Sequence, residues 1–95
     1  MQFSEKLENI IEKFNFIEAK LNSPLNESEI AHFSRQYSEL RPVVDKILIF
    51  RKLKNEIKDA EALRNDPDLG SLAEEELIKL KENLKKSENE LLLSL

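Results

Sequence analysis

Apolar residues recur along three stretches of the chain at alternating steps of three and four, the spacing of one face of an α-helix. In the first stretch Phe3, Leu7, Ile10, Phe14, Ile17 and Leu21 form the stripe, and Ile11 and Phe16 widen it. This pattern predicts a helix over Ser4–Asn22, with the Ser4 hydroxyl as N-cap. Asn22-Ser23-Pro24 ends it, because proline disfavours helical geometry in the residue before it. A second helix is predicted over Glu27–Asn65, capped by Asn26 or Ser28. Ile30, Phe33, Tyr37, Leu40, Val44 and Ile47 keep the rhythm, which continues through Phe50, Leu53, Ile57 and Ala60 with two consecutive steps of three. That change of phase turns the apolar stripe toward a new direction. Pro42 lies inside the stretch, lacks an N–H and crowds the carbonyl four residues back, so a kink or short break is expected near Glu39–Pro42. About 39 residues at 1.5 Å each would span roughly 58 Å, too long for one short partner. The first helix is therefore expected to cover one end of the second, and the third helix the other.

Asp66-Pro67-Asp68-Leu69-Gly70 is the clearest turn signal. After it, Ser71-Leu72-Ala73-Glu74 reads as a capping box, and Glu74, Glu75 and Glu76 place negative charge near the positive end of the helix dipole. Ala73, Leu77, Leu80, Leu84, Ser87 and Leu91 give the third stripe. The sequence closes on Leu91-Leu92-Leu93-Ser94-Leu95 with no stop signal, which leads one to expect the front part of something longer. The fold expected is all-α, an antiparallel three-helix bundle with a long, kinked second helix, as a single domain over residues 1–95.

Composition narrows the chemistry. A single glycine and three prolines in 95 residues are too few for the turns of an all-β fold. Gly70 alone cannot build a glycine-rich phosphate loop. Without cysteine there is no disulfide, thiolate nucleophile or cysteine zinc site. The longest apolar run, Ile47–Phe50, is far short of the roughly 20 residues that span a bilayer, and Met1-Gln2-Phe3-Ser4-Glu5 is not the start of a secretory signal. The expectation is a cytoplasmic, non-catalytic helical domain with no cofactor, no metal, no small-molecule ligand and no membrane association.

Four features remain as candidates. His32 shares a helix surface with Glu29 and Gln36, but a metal would need further ligands from elsewhere, and a surface histidine beside Phe33 is the simpler account. Glu74, Glu75 and Glu76 point about 100° apart and cannot converge on one cation. The basic group Arg51, Lys52, Lys54 and Lys58 is more informative: Arg51, Lys54 and Lys58 line one face and could rest on phosphates or an acidic protein surface. Glu56 and Asp59 interleave with them, as on an ordinary solvated face, and Glu27–Asn65 carries only +1. The three stripes themselves can serve one another as core rather than bind partners.

The order of elements resembles a known family. Phe33-Ser34-Arg35-Gln36-Tyr37-Ser38-Glu39-Leu40-Arg41-Pro42-Val43-Val44 is similar to the Leu-Ser-Lys-Glu-Tyr-x-Glu-Leu-x-Pro-Ile/Val-Val stretch in the N-terminal domain of the bacterial peptide chain release factor 1 family. Leu21-Asn22-Ser23-Pro24 resembles the turn after that family's first helix, although the family's aspartate is absent. Asp59-Ala60-Glu61-Ala62-Leu63, Asp66-Pro67-Asp68 and Ala73-Glu74-Glu75-Glu76-Leu77 match the helix end, acidic turn and last helix, and Leu91–Leu95 resembles the leucine run that follows. The sister family, release factor 2, usually has a tryptophan in the first turn region, and this chain has none.

The resemblance implies an accessory N-terminal domain of a factor that directs termination at UAA and UAG on the bacterial ribosome. The Pro-x-Thr codon-reading and Gly-Gly-Gln hydrolysis motifs of that family do not occur in this chain, so the domains that carry them are absent. The partners implied are the stalk base region of the large subunit and the remaining domains of the same factor. Arg51, Lys54 and Lys58 are the candidate contact residues, and weak self-association is expected through the exposed leucines at the end. An unrelated helical adaptor or dimerising module is the alternative.

Overall fold

The computed structural model describes residues 2–95, with side chains described from residue 3 onward. They form three helices and, among the described residues, no strand: α1 (Gln2–Leu21), α2 (Glu27–Ala62) and α3 (Gly70–Ser94). The chain divides into two compact units, Met1–Asp45 and Lys46–Leu95, and α2 contributes to both. The expected pairing holds in each: α1 meets the first part of α2 in one, and α3 meets the second part in the other.

In the first unit Leu7, Phe14, Ile17 and Val44 are buried, and the Phe14 and Tyr37 rings stack with centroids 4.8 Å apart. Ser4 does not cap α1, because the helix has already begun at Gln2 and Ser4 lies inside its first turn. Phe16 does not widen the stripe either: it is 56% exposed, with the Lys20 ammonium 5.5 Å from its ring centroid. Ile30, placed by its spacing on the second stripe, is also largely exposed. The helix ends at Leu21, where the amide and hydroxyl of Ser23 both donate to the Lys20 carbonyl. Asn26 then opens α2 with a reciprocal cap. Its Oδ1 accepts from the Glu29 amide at 2.9 Å, and its own amide donates to Glu29 Oε1 at 3.1 Å.

Helix α2 passes through Pro42 without interruption, so the short break does not occur. Its end comes at Ala62, three residues before the expected Asn65, where the chain tightens into turns: the Leu63, Arg64 and Asp66 amides donate to the carbonyls three residues back. In the second unit the buried side of α2 runs from Ile47 through Phe50 to Ala60, with Leu53 and Ile57 half-covered. At 100° per residue this side turns by roughly 140° between Ile47 and Ala60, the phase shift that steps of three produce. Ala60, Leu77 and Leu80 form a buried cluster, and the Lys46 ammonium donates to Ser94 Oγ at 2.8 Å. Within the second unit the start of its α2 segment thus meets the end of α3, and the end of α2 meets the early part of α3, so these two helices run antiparallel. The third stripe lies as its spacing predicts: Ala73, Leu77, Leu80, Ser87 and Leu91 are buried and Leu84 is half-buried.

The turn into α3 is built differently from the capping box expected at Ser71. Helix α3 starts at Gly70, after Leu69 at the cap position, and no side chain caps it. Asp66 organises the approach instead. Its Oδ1 accepts from the Asp68 and Leu69 amides at 2.8 and 2.9 Å, and its carbonyl accepts from the Gly70 amide at 2.9 Å. Glu74 falls in the second turn of α3, where the helix dipole has largely faded, and its carboxylate pairs with Arg64 at 2.7 Å.

Candidate interaction surfaces

Of the three cations placed on one face of α2, Lys54 and Lys58 are exposed and Arg51 is half-buried. The Lys54 ammonium sits 5.4 Å from the Phe50 ring centroid, so part of its interaction is already made within the protein. The stripe is therefore a mixed surface, with two solvent-facing ammonium groups beside a guanidinium that is partly covered. His32 is exposed, and its ring meets Phe33 edge-on at 5.1 Å. Among the described residues no group of three or more metal-ligating side chains comes together. No helix there is long and apolar enough to cross a membrane.

A polar cluster within Phe33–Val44 was not anticipated from the periodicity. The Arg41 guanidinium donates to the Tyr37 hydroxyl at 2.8 Å and pairs with Asp45 at 3.4 Å. The field of Tyr37, and secondarily that of Asp45, holds the guanidinium above its ordinary pKa. Tyr37 is also held by the stacked Phe14 ring. The spacing of Tyr37, Arg41 and Asp45 by fours was the available signal, because such residues stack along one helix face.

In the second unit, the end of α2 and the start of α3 leave an open groove of about 430 Å³. Ala60, Ala73 and Leu80 are its buried floor, while Leu63, Leu69 and Leu72 stand around it and are 41%, 45% and 63% exposed. Among the described residues the charged side chains lining it are all carboxylates, those of Glu56, Asp59 and Glu76. Pairing two helices at this one place created the groove, so the periodicity of either helix alone did not announce it.

The PCRF domain family model matches residues 10–95. The chain is 41% identical over 91 residues to peptide chain release factor 1 of Ruegeria pomeroyi, a match covering 96% of this chain and 26% of that protein. It is 38% identical over 92 residues to peptide chain release factor 1 of Dinoroseobacter shibae, covering 97% and 26%. To peptide chain release factor 1 of Acidiphilium cryptum it is 34% identical over 95 residues, covering 100% and 27%. The chain spans about a quarter of the length of the curated relatives it matches. No solved structure matches it.

Proposed function

Because the chain belongs to the PCRF domain family, we propose that it is the accessory N-terminal helical domain of a bacterial peptide chain release factor. In this reading it works in translation termination, in the cytoplasm and on the ribosome, in a factor that acts at UAA and UAG. The observation that carries the reading is the family match over residues 10–95 combined with similarity to release factor 1 along nearly the whole chain. The domain does no chemistry of its own: with one glycine, the sequence holds no Gly-Gly-Gln, and it holds no Pro-x-Thr codon-reading motif. What it contributes is surface. Lys54 and Lys58, with the partly covered Arg51, would meet phosphates or an acidic protein face near the stalk base of the large subunit. Leu92 and Leu93, 51% and 89% exposed, would be covered by the remaining domains of the factor, and would give weak self-association when this piece is alone.

An extra weak contact changes encounter and residence more than the chemical step. A factor lacking the segment equivalent to Met1–Leu95 is therefore expected to release peptide normally at saturating concentration and more slowly at limiting concentration. Single-turnover release on ribosomes stalled at UAA and UAG, measured across a concentration series, tests this. Loss of release at saturation would mean that the domain positions the catalytic motif, and the accessory reading would be wrong. Reversing Arg51, Lys54 and Lys58 to glutamate in the full factor should reproduce the limiting-concentration defect and flatten the salt dependence of binding. An unchanged curve would return these residues to an ordinary solvated face.

A further inference from the structure

We propose that the groove between the end of α2 and the start of α3 receives an amphipathic helix of a protein partner, one whose apolar anchors are flanked by lysine or arginine. Three observations converge on that occupant. First, Leu63, Leu69 and Leu72 are left substantially in water beside a floor that is fully apolar. An inserted apolar side chain would remove area from all of them. Second, the groove is lined by the two helices and, at Leu63 and Leu69, by the turn that joins them, so no strand edge is offered to an added strand. Recognition must pass through side chains, as when a helix lies in a groove. Third, the charge around the groove has one sign. Glu56, Asp59 and Glu76 line it with no lysine or arginine, and among the described residues none of the three has an ion-pair partner.

That charge selects the class of partner. Nucleic acid would bring phosphates against three carboxylates, whereas a basic helix would complement them. Lys52 stands on the groove's side one turn before Glu56, but it neither lines the groove nor pairs with a rim carboxylate, and the other three cations of the basic group lie elsewhere. At 100° per residue, the side carrying Arg51, Lys54 and Lys58 lies roughly 160° around the helix from the side carrying Glu56, Asp59, Ala60 and Leu63. This inference goes beyond the accessory role in termination, and it is tested on the chain alone with no ribosome present.

The probe is a synthetic helical peptide of about 18 residues with leucines at i, i+3, i+4 and i+7 and lysines flanking them. A second peptide has glutamates at the flanking positions. Titration into the isotopically labelled 95-residue chain, followed by amide chemical shifts, should give a Kd below about 1 mM for the lysine peptide. Shifts should centre on Ala60, Leu63, Leu72 and Ala73, and affinity should fall several-fold with added salt. The glutamate peptide should bind at least tenfold more weakly. The combined change E56K, D59K and E76K should invert that preference, and if it disturbs folding, E56Q with D59N and E76Q should still weaken the lysine peptide at least threefold. Leu72→Asp, at an exposed position, should abolish binding and leave the melting temperature in place. Equal affinity for the two peptides, shifts centred elsewhere, or no binding at 1 mM would overturn the proposal. So would displacement of these same resonances by a single-stranded RNA, or by dilution of the chain alone, which would assign the groove to nucleic acid or to a second copy.

Discussion

Replacing Gly70 with alanine sets two effects of opposite sign against each other. The backbone there has no positive φ, so alanine can adopt the conformation, and the loss of unfolded-state freedom alone would stabilise the protein by about 0.4–1 kcal/mol. The packing says otherwise. A Cβ at position 70 would lie 2.6 Å from the Arg64 carbonyl oxygen and 3.5 Å from its carbon. Carbon and oxygen normally approach no closer than about 3.3 Å, so the first turn of α3 or the turn after α2 must give by roughly 0.7 Å. Neither is a flexible side-chain tip. The Gly70 amide donates to the Asp66 carbonyl at 2.9 Å and the Leu69 amide to Asp66 Oδ1 at 2.9 Å, so movement strains these bonds as well. Overpacking against backbone costs about 1–3 kcal/mol, and subtracting the entropic gain leaves a net loss centred near about 1.3 kcal/mol and no larger than about 2.6 kcal/mol. In a chain of this size each kcal/mol lowers the melting temperature by about 4–8 °C. Urea unfolding followed by circular dichroism at 222 nm, with the denaturant slope unchanged, measures the difference. A stability equal to or above that of the parent would refute the steric argument and leave the glycine without a structural reason.

Two adjacent residues separate burial from hydrophobicity: Leu77→Ala should cost about 2–5 kcal/mol, while Ile78→Ala, at a 65% exposed site, should stay within about 0.5 kcal/mol by the same unfolding measurement. Asn26→Ala removes the side-chain half of the cap on α2 and should cost about 1 kcal/mol, with faster hydrogen exchange at the Glu29 amide as its local signature. Glu74→Gln breaks the pair with Arg64, whose side chains are about half exposed, and should cost less than about 1 kcal/mol, with the loss shrinking as salt is added.

The helices were legible because few residues interrupt them, and the third stripe was legible in full because α3 faces one neighbour throughout the second unit. Even Ser87, polar by type, is buried where its spacing puts it. Periodicity identifies which residues share a face but not whether a neighbour covers that face, and this is why Phe16 and Ile30 lie in solvent despite fitting a stripe. The caps expected at Ser4 and Ser71 failed for a related reason. A cap is decided by which amides are left without partners, and each helix had begun before its serine, at Gln2 and at Gly70. At the second turn Asp66 had already taken the Asp68 and Leu69 amides from upstream. The Asn26–Glu29 box, by contrast, was half visible, since Asn26 was a cap candidate and Glu29 stands three residues on.

The second half of α2 carries three differently occupied sides, and their separation has a measurable consequence. Phe50, Leu53, Ile57 and Ala60 are turned into the protein, Lys54 and Lys58 face solvent on one flank, and Glu56 and Asp59 border the groove on another. A helix with its side chains is about 10–12 Å across, comparable to the Debye length of about 8–10 Å at physiological salt. Charges on the two flanks should then act almost independently, as distant sites do in mutational cycles. Combined Lys54→Glu and Lys58→Glu is thus expected to change the affinity of the lysine-flanked peptide for the groove by less than about twofold at 0.15 M salt. The same change removes the cation near the Phe50 ring, which costs about 0.5–1 kcal/mol and gives an internal check that the substitution reached the folded protein. A change in peptide affinity above about fivefold would mean that the flanks share one field. In that case the basic stripe and the acidic groove would form a single surface, and a partner of either sign would have to be read against both.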